Sequence, residues 1–247
     1  MTSGELQGRV AIVTGSSSGI GEAIAHRLSE LGAAVVVNSA TSVDGGQAVA
    51  AALPGEAAYV QADISDPAQG QALLDGTIER FGKLDVLVNN AGWTQLIPHT
   101  DLEAVTDEIF QRIFEVNVFG TWWLTKAAMP LLKQAEDPNV IMLTSVAGLR
   151  PMGSSIPYAM SKAALNHLTA LLAKSHAPVR VNAIAPGLVD TPWTADWGPV
   201  HEAFANAVPM HRSATPDDCA EAALAILRNR YMTGATIVVD GGTSLVM

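Results

Sequence analysis

Three residues in the second half of the chain have the types and spacing of a proton-transfer site. Ser145 follows a short apolar run, Tyr158 comes after twelve intervening residues, and Lys162 lies four residues beyond Tyr158. Because residues four apart share one face of a helix, the side chains of Tyr158 and Lys162 would point the same way. A phenol has a pKa near 10, and a neighbouring ammonium lowers that pKa by favouring the phenolate. The Ser145 hydroxyl could donate to a carbonyl oxygen, so the set suits acid–base chemistry at a carbonyl group.

A glycine-rich segment at residues 14–21 lies between the first predicted strand and the first predicted helix. Gly15 permits a tight turn, Gly19 lets the backbone approach a pyrophosphate, and Gly21 allows a helix to pack closely on a strand. The helix start offers free N–H groups and a positive dipole end to phosphates. The glycines are spaced four and then two apart, unlike the common dinucleotide fingerprint, but their place between strand and helix favours a dinucleotide site over an ordinary turn.

The end of the second predicted strand bears on the choice of cofactor. An acidic residue there accepts a hydrogen bond from the ribose 2′-OH of NAD, whereas NADP needs room for a 2′-phosphate. In this chain Asn38 and Ser39 are followed by Ala-Thr-Ser, and no carboxylate appears before Asp44. Nothing in this stretch repels a 2′-phosphate, although no arginine is near in sequence. Asn38 and Ser39 are therefore candidate cofactor contacts, and the sequence favours NADP(H), with NAD(H) as the alternative.

Short apolar runs alternate with helical patterns along the whole chain, which predicts βαβ units. The runs are at residues 10–13, 34–37, 58–60, 84–88, 140–143, 179–185 and 236–239. Seven such strands predict an α/β fold of the Rossmann type, a three-layer α/β/α domain with a doubly wound seven-stranded parallel sheet. We expect a single domain over residues 1–247. Residues 188–210 are rich in Pro, Trp and Gly and are interpreted as a substrate loop.

Composition excludes several classes of protein. The chain has 247 residues and a net charge of −10, so nonspecific binding to nucleic-acid phosphates is disfavoured. Its one cysteine, Cys219, rules out a disulfide framework, and its six histidines show no metal-ligand spacing, so we predict no catalytic metal. The first nine residues are polar, and no apolar run reaches the roughly 18 residues of a membrane span. We expect a soluble cytoplasmic protein.

The motifs occur together and in a fixed order, which separates them from a lone Tyr-x-x-x-Lys, ordinarily a packing tyrosine beside a solvated lysine. They are Thr14-Gly15-xxx-Gly19-Ile20-Gly21, Asn89-Asn90-Ala91-Gly92, Asn117, Ser145, Tyr158-xxx-Lys162 and Pro186-Gly187. With them the chain resembles the short-chain dehydrogenase/reductase family. It is similar to the single-domain branch that includes 3-oxoacyl-carrier-protein reductases and carbonyl reductases. The resemblance runs from about residue 6 to residue 242.

The resemblance implies a set of cofactor contacts. These are Gly15, Ser17, Gly19, Ile20, Asp63, Ile64, Asn90, Gly92, Pro186, Gly187, Val189 and Thr191. Asp63 would bind the adenine amino group, and Thr191 would lie near the carboxamide. Tyr158 and Lys162 would also hold the nicotinamide ribose. Asn117 would distort its helix and hold a water that joins Lys162 to solvent.

A group of apolar residues follows strand ends or falls in the substrate loop and could form a pocket wall. They are Trp93, Leu96, Pro151, Met152, Trp193 and Trp197, and for Trp197 simple packing is nearly as good an explanation. With Ser145 and Tyr158, the residues Trp93, Met152 and Trp193 are the candidate substrate contacts. Such a wall suits an apolar or aromatic ketone.

We therefore predict an NADP(H)-dependent oxidoreductase that reduces a ketone or aldehyde to an alcohol by hydride transfer. Tyr158 is the general acid, Ser145 polarises the carbonyl, Lys162 lowers the pKa of Tyr158, and Asn117 maintains the proton relay. One alternative is an NAD-dependent alcohol or diol dehydrogenase that uses the same residues. Another is a non-catalytic nucleotide-binding regulator, which the complete catalytic set argues against.

Two predicted helices are more apolar than one packing face requires. Residues 118–132 include Phe119, Trp122 and Trp123, and the helix after Tyr158 shows the same excess. A helix that covers one sheet face needs only one apolar stripe, and large exposed apolar patches usually mark interfaces. The apolar end at residues 245–247 could dock on another subunit. We predict a homotetramer, the alternative being that both helices are deep in one monomer.

Overall fold

The computed structural model describes residues 4–246 and shows one seven-stranded parallel sheet. The strands are β1 (Val10–Val13), β2 (Ala34–Ser39), β3 (Ala57–Gln61), β4 (Val86–Asn89), β5 (Asn139–Leu143), β6 (Arg180–Pro186) and β7 (Thr236–Val239). Their order across the sheet is β3-β2-β1-β4-β5-β6-β7. The predicted Rossmann-type architecture is thereby confirmed.

Helices connect the strands and cover the sheet. They are α1 (Gly19–Glu30), α2 (Val43–Ala52), α3 (Pro67–Phe81), α4 (Asp107–Phe114), α5 (Thr121–Leu132), α6 (Ile156–Ser175), α7 (Gly198–Ala207), α8 (Pro216–Arg228) and α9 (Thr243–Val246). A π-helical turn, Glu115–Gly120, joins α4 to α5. Among the residues that the structure describes, no helix is long and apolar enough to cross a membrane.

The core consists of two apolar clusters, one on each side of the sheet. On one side, Leu28 of α1 and Leu224 of α8 are buried against the strands. On the other side, Leu73 of α3, Leu124 of α5 and Leu172 of α6 fill the second cluster. Because both faces are covered, the inner strands are buried throughout, which explains their continuous apolar runs.

The strand ends differ from the predicted ones where polar residues take part. Strand β2 continues through Ser39, so that Asn38 and Ser39 lie within the strand and are buried. Strand β4 begins at Val86 rather than at residue 84. Just before this strand, the Asp85 carboxylate accepts the Val10 N–H at 2.8 Å.

The segment interpreted as a loop, residues 188–210, contains regular structure. It holds a 3-10 turn, Pro192–Thr194, and helix α7. Its base is closed by a parallel bridge between Val189 and Ala214, outside the named strands. Helix α7 is only ten residues long and begins with Gly198 and Pro199, two residue types that ordinarily indicate a loop, and none of its residues is buried.

Candidate active site

The carboxyl ends of β1 and β4 form the crevice where the order of the strands reverses. In open α/β sheets such a crevice is the usual place for a nucleotide. The glycine-rich segment follows β1, and the segment with Asn90 and Gly92 follows β4. The fold therefore brings two of the predicted cofactor segments side by side.

The glycine-rich segment has a backbone that only glycine accommodates. Gly15 and Gly19 both have φ of 61°, in the left-handed region. A Cβ on Gly15 would lie 2.8 Å from the Cα of Ala91, and one on Gly21 would lie 2.5 Å from the Gly15 carbonyl oxygen. The segment leads into the N-terminus of α1, whose cap residue, Ser18, makes no side-chain cap. The N–H groups at this helix end can therefore bind phosphates, which fits a dinucleotide.

Thr14 and Asn90 hold the glycine segment against the β4 loop. Thr14 Oγ1 accepts the N–H groups of Asn90 and Ala91, both at 3.0 Å. The Asn90 amide donates to the carbonyls of Thr14 and Gly15 at 2.9 Å. The Asn90 side chain thus shapes the cofactor segment. The role of Thr14 was missed in the sequence, although its place directly before the glycine motif is the pattern that points to it.

The side chains of Asn38 and Ser39 are also engaged within the protein. Asn38 Nδ2 donates to the carbonyls of Val60 and Ala62 at 3.1 Å. Ser39 Oγ donates to the Ser42 carbonyl at 2.8 Å and lies 2.8 Å from the Tyr59 hydroxyl. These two residues fix the end of β2, while Thr41 and Ser42, which follow, are exposed.

Asp63, the predicted adenine contact, is held at the end of β3. Desolvation would raise the pKa of its carboxyl, but hydrogen bonds from Ser65 and the guanidinium of Arg112 lower it below its ordinary value. Asp63 is therefore a fixed anion at this end of the crevice. Ile64 is buried, and its carbonyl oxygen would be 2.8 Å from a Cβ on Gly120. Ser17 and Ile20 are partly buried at the start of α1.

Ser145 and Tyr158 come from two adjoining segments after β5. Ser145 begins a 3-10 turn, and its Oγ accepts the Ala147 N–H at 3.1 Å and lies 3.4 Å from the Pro186 carbonyl oxygen. Ser155 begins α6 and accepts the N–H of Tyr158 at 3.4 Å. The Ser145 hydroxyl is close enough to Tyr158 to influence the pKa of its phenol.

Lys162 lies one turn beyond Tyr158, with both side chains on one face of α6. Its Nζ donates to the Leu143 carbonyl at 2.8 Å and is 5.6 Å from the centre of the Tyr158 ring. Burial lowers the pKa of Lys162 to about 8. Burial raises the pKa of Tyr158 to about 12, and the Ser145 hydroxyl acts in the opposite direction.

In the protein without cofactor, the pKa of Tyr158 is therefore raised overall, and the lowering of this pKa by Lys162 stays a prediction for the protein with its cofactor bound. Desolvation is the larger of the two causes of this shift, and the hydrogen bond with the Ser145 hydroxyl is the smaller, opposing one. Burial lowers the pKa of Lys162 only to about 8, so the amine still carries its positive charge for most of the time at neutral pH.

Asn117 lies in the π-helical turn and is fully buried. Its Oδ1 accepts the Trp93 N–H at 2.7 Å, and its Nδ2 donates to the Trp93 carbonyl and to Ser161 Oγ, both at 3.0 Å. Ser161 Oγ in turn donates to the Tyr158 carbonyl at 2.7 Å. Asn117 therefore ties the β4 loop to the helix that carries Tyr158. The sequence reasoning missed Ser161, which immediately precedes Lys162.

Gly92 marks the point where several predicted residues meet. A Cβ at this position would lie 3.4 Å from Asn117 Oδ1, 3.7 Å from Lys162 Nζ and 3.8 Å from Cη2 of Trp193. A glycine here keeps the backbone close to all three side chains. Four parts of the fold therefore meet at Gly92: the segment after β4, the π-helical turn, α6 and the segment after β6.

The segment after β6 closes the other side of the crevice. It begins with Gly187, directly after Pro186 at the end of β6, and a Cβ on Gly187 would lie 3.1 Å from the Cα of Asp240. Val189 is buried. A Cβ on Gly19 would be 3.3 Å from Cγ2 of Thr191, so this segment touches the glycine segment.

The predicted substrate wall is brought together in part. Trp193 is 48% exposed and lies over Gly92, whereas Trp93 is partly buried and its backbone is bound by Asn117. Met152 is partly buried in the segment after β5. Thr94 Oγ1 and Ser154 Oγ are 2.7 Å apart, which links the segments that carry Trp93 and Met152. Leu96 and Pro151 are exposed, and Trp197 is partly buried with its N–H on the Thr194 carbonyl.

Within residues 4–246 there is no group of three or more His, Cys, Asp or Glu side chains arranged to hold a metal ion. Metal independence of the reaction stays a prediction. Cys219 is buried, and desolvation raises the pKa of its thiol to about 12. The thiol is therefore unreactive.

Comparisons with known proteins agree with the geometry. A family model described as "Enoyl-(Acyl carrier protein) reductase" matches residues 15–244. A short-chain dehydrogenase from Burkholderia cenocepacia J2315, solved in complex with NADP, has a TM-score of 0.91 at 33% identity and covers 97% of this chain and 99% of that one. This chain belongs to the short-chain dehydrogenase/reductase family.

Curated members of the short-chain dehydrogenase/reductase family place the chain in an enzyme class. The Streptomyces violaceoruber protein named "Granaticin polyketide synthase putative ketoacyl reductase 2" is 50% identical over 241 residues, 96% of each chain. Glucose 1-dehydrogenase 2 of Bacillus subtilis is 37% identical over 98% of this chain and 96% of its own length. The protein is an NAD(P)-dependent dehydrogenase/reductase that acts on CH–OH groups.

Proposed function

We propose that the protein reduces the carbonyl of a ketone or aldehyde to an alcohol with NADP(H), and that Tyr158 is the general acid. The observation that carries the proposal is the pairing of Tyr158 and Lys162 on one face of α6 beside Ser145. These three side chains lie at the carboxyl edge of the sheet, next to the crevice that fits a dinucleotide.

The residues that would hold the cofactor belong to four segments. The glycine segment and the start of α1 would bind the pyrophosphate, and Asp63 would bind the adenine. Thr191 and the backbone after β6 would hold the nicotinamide end, with Tyr158 and Lys162 on its ribose. When bound, the nicotinamide supplies the hydride for the carbonyl carbon.

Each catalytic side chain has a task that follows from its surroundings. Tyr158, whose pKa of about 12 keeps it protonated at neutral pH, donates its proton to the carbonyl oxygen. Ser145 donates a hydrogen bond to the same oxygen and stabilises the charge that develops on it. The Lys162 ammonium stabilises the phenolate that remains. Asn117 keeps this arrangement in place through Trp93 and Ser161, and with Lys162 it would serve the return of the proton to Tyr158.

The preference for NADP(H) is supported by the end of β2. Asn38 and Ser39 bring no negative charge there, and the next acidic residue along the chain, Asp44, lies in the first turn of α2. Because the side chains of Asn38 and Ser39 are engaged internally, the hydroxyls of Thr41 and Ser42 are the groups left to face a 2′-phosphate. The Burkholderia cenocepacia relative solved with NADP agrees with this preference.

The substrate that the site supports best is an apolar or aromatic ketone. Trp193 over Gly92 supplies an aromatic surface. Trp93 and Met152 are partly buried on the segments after β4 and β5, which the contact between Thr94 and Ser154 links. Aromatic side chains bind apolar rings by burying large areas.

The experiment is a cofactor oxidation screen over aliphatic and aromatic ketones and aldehydes, with NADPH and NADH in parallel. We expect ketone-dependent oxidation of NADPH, fastest with apolar aromatic ketones. Oxidation of alcohols with NAD⁺ and no reduction of any carbonyl would favour the alcohol or diol dehydrogenase instead. Tight cofactor binding with no turnover in either direction would favour a nucleotide-binding regulator.

A further inference from the structure

Residues 191–213, here called the flap, rise from the sheet between β6 and α8. The base of the flap is closed by backbone contacts: the Asp190 N–H donates to the Ala214 carbonyl at 2.8 Å, and the Ala214 N–H donates to the Leu188 carbonyl at 2.9 Å. The flap has a rising limb, residues 191–197, and a returning limb, residues 208–213, which helix α7 joins. The rising limb contacts Gly19 through Thr191 and carries Trp193 over Gly92. The position of the flap therefore sets one wall of the active site.

Helix α7 of the flap has little apolar packing to hold it. None of its ten residues is buried, and Phe204 is only partly so. A helix with few buried contacts opens at low free-energy cost. Hydrogen bonds between α7 and the rest of the flap therefore contribute more to holding the helix in place than they would for a buried helix.

The imidazole of His201 joins α7 to both limbs of the flap. Its Nε2 is 3.2 Å from the carbonyl oxygen of Thr194 in the rising limb, and its Nδ1 is 2.7 Å from Ser213 Oγ in the returning limb. Since a carbonyl oxygen only accepts, Nε2 carries the proton in the neutral ring, and Nδ1 accepts from the Ser213 hydroxyl. One ring thus connects three parts of the flap.

The limb that His201 holds is the limb that carries Trp193. Thr194 is also fixed from below, because its hydroxyl donates to the Val189 carbonyl at 2.7 Å. The preceding residue, Trp193, lies close to Gly92 and Lys162. A Cβ on Gly92 would be 3.8 Å from Trp193 Cη2 and 3.7 Å from Lys162 Nζ. A shift of the Thr194 carbonyl would move Trp193 relative to Lys162.

We propose that His201 is a positioning residue that fixes α7 and Trp193 over the catalytic edge and thereby sets the affinity for the carbonyl substrate. The part that concerns substrate rests on the proposed function. The part that concerns the flap does not, because the contacts of His201 are independent of any reaction.

The first test is His201→Ala. We expect the KM for the ketone to rise roughly tenfold, the loss that follows from one to two ordinary hydrogen bonds. The kcat should change less than about threefold, because Ser145, Tyr158 and Lys162 are untouched. The dissociation constant for NADPH, measured by calorimetry, should stay within about twofold of wild type.

Two further variants separate the contacts of the ring. His201→Gln retains an amide that can donate to the Thr194 carbonyl and should recover part of the lost affinity. Ser213→Ala removes only the second contact and should have a smaller effect. Glu202→Ala, an exposed neighbour on α7, is the matched control and should behave as wild type.

Amide hydrogen exchange gives a readout that needs no turnover. In His201→Ala, exchange should become faster over residues 194–213 and stay unchanged in the strands. If no carbonyl is reduced by the wild type, the proposed function fails while this measurement still tests the flap contacts. If His201→Ala does not fold, the ketone KM and the amide exchange of Ser213→Ala test the proposal instead. Unchanged exchange in the flap, or faster exchange with an unchanged ketone KM, would overturn the proposal.

Discussion

The Nζ of Lys162 lies 5.6 Å from the centre of the Tyr158 ring, one turn further along α6. Burial moves the two pKa values toward the neutral forms, with Tyr158 raised to about 12 and Lys162 lowered to about 8. In the protein without cofactor, the tyrosine is a firmly protonated acid beside a lysine whose charge changes near physiological pH. For the reduction that we propose, the proton that Tyr158 would donate is therefore in place before substrate binds.

The lowered pKa of Lys162 predicts a pH-dependent stability. Between pH 8 and the ordinary lysine pKa of 10.5, the unfolded chain binds a proton that the folded chain has released, so folding becomes more favourable as pH rises through this window. Lys162→Met lacks this dependence. We expect the difference in unfolding free energy between wild type and this variant to shift by about 3 kcal/mol in favour of wild type as the pH rises from 8 to 10.5.

The measurement is denaturant unfolding without cofactor, at one protein concentration and several pH values. The variant also loses the hydrogen bond to the Leu143 carbonyl. This loss changes the difference in unfolding free energy by the same amount at every pH, so the dependence of that difference on pH is unaffected. A difference that does not vary with pH would show that the pKa of Lys162 is close to its ordinary value.

Cofactor preference should follow the charge at the end of β2. We expect a higher kcat/KM with NADPH than with NADH, and Ser39→Asp should reverse the order because a carboxylate repels the 2′-phosphate and accepts from a 2′-OH. The substitution also replaces the hydroxyl that binds the Ser42 carbonyl. Ser39→Ala is therefore the control, since it removes that bond without adding charge. A wild-type preference for NADH would refute the cofactor assignment and leave the reductase assignment intact.

The fold could be predicted because both faces of the sheet are covered. Each inner strand then appears as a short apolar run, and the glycine segment after β1 marks the switch point. Helix α7 could not be predicted, because it is short and begins with Gly198 and Pro199 in a segment rich in Pro, Trp and Gly, which is typical of a loop. The contacts of Ser161 and Thr14 depend on residues far away in sequence, Asn117 and Asn90, and follow only from the packed structure.

The reaction should need no metal ion. Ser145 and Tyr158 supply the hydrogen bonds that polarise a carbonyl, which is the task a Lewis acid would otherwise have. Prolonged dialysis against EDTA should leave the ketone reduction rate unchanged. Loss of activity that zinc restores would contradict this, while loss that only magnesium restores would indicate a structural ion at a subunit contact.

We predict a homotetramer from the apolar surface of two helices. Phe119 in the π-helical turn is 46% exposed, Trp122 of α5 is 40% exposed, and Leu171 of α6 is 51% exposed. These side chains are not deep in the monomer, so burial against other subunits accounts for them better than core packing does. Leu245 is also exposed, and the last residue of the apolar end, Met247, is outside the described residues.

Light scattering on a sizing column at micromolar concentration tests this state. A mass four times that of the chain is expected, and Trp122→Lys should lower it because a charge would be buried at the contact. A dimer mass would leave one of the two proposed contacts, and a monomer mass would refute oligomerisation.

Tyr158→Phe tests the central claim most directly, because it removes the transferable proton and almost no volume. We expect the rate of ketone reduction to fall by roughly 10²–10⁴ or more, the usual contribution of a general acid. NADPH binding, measured by calorimetry, should be nearly kept, since the glycine segment and the residues after β6 are unchanged. A variant that retains more than about a tenth of the wild-type turnover would contradict the assignment of Tyr158 as the proton donor.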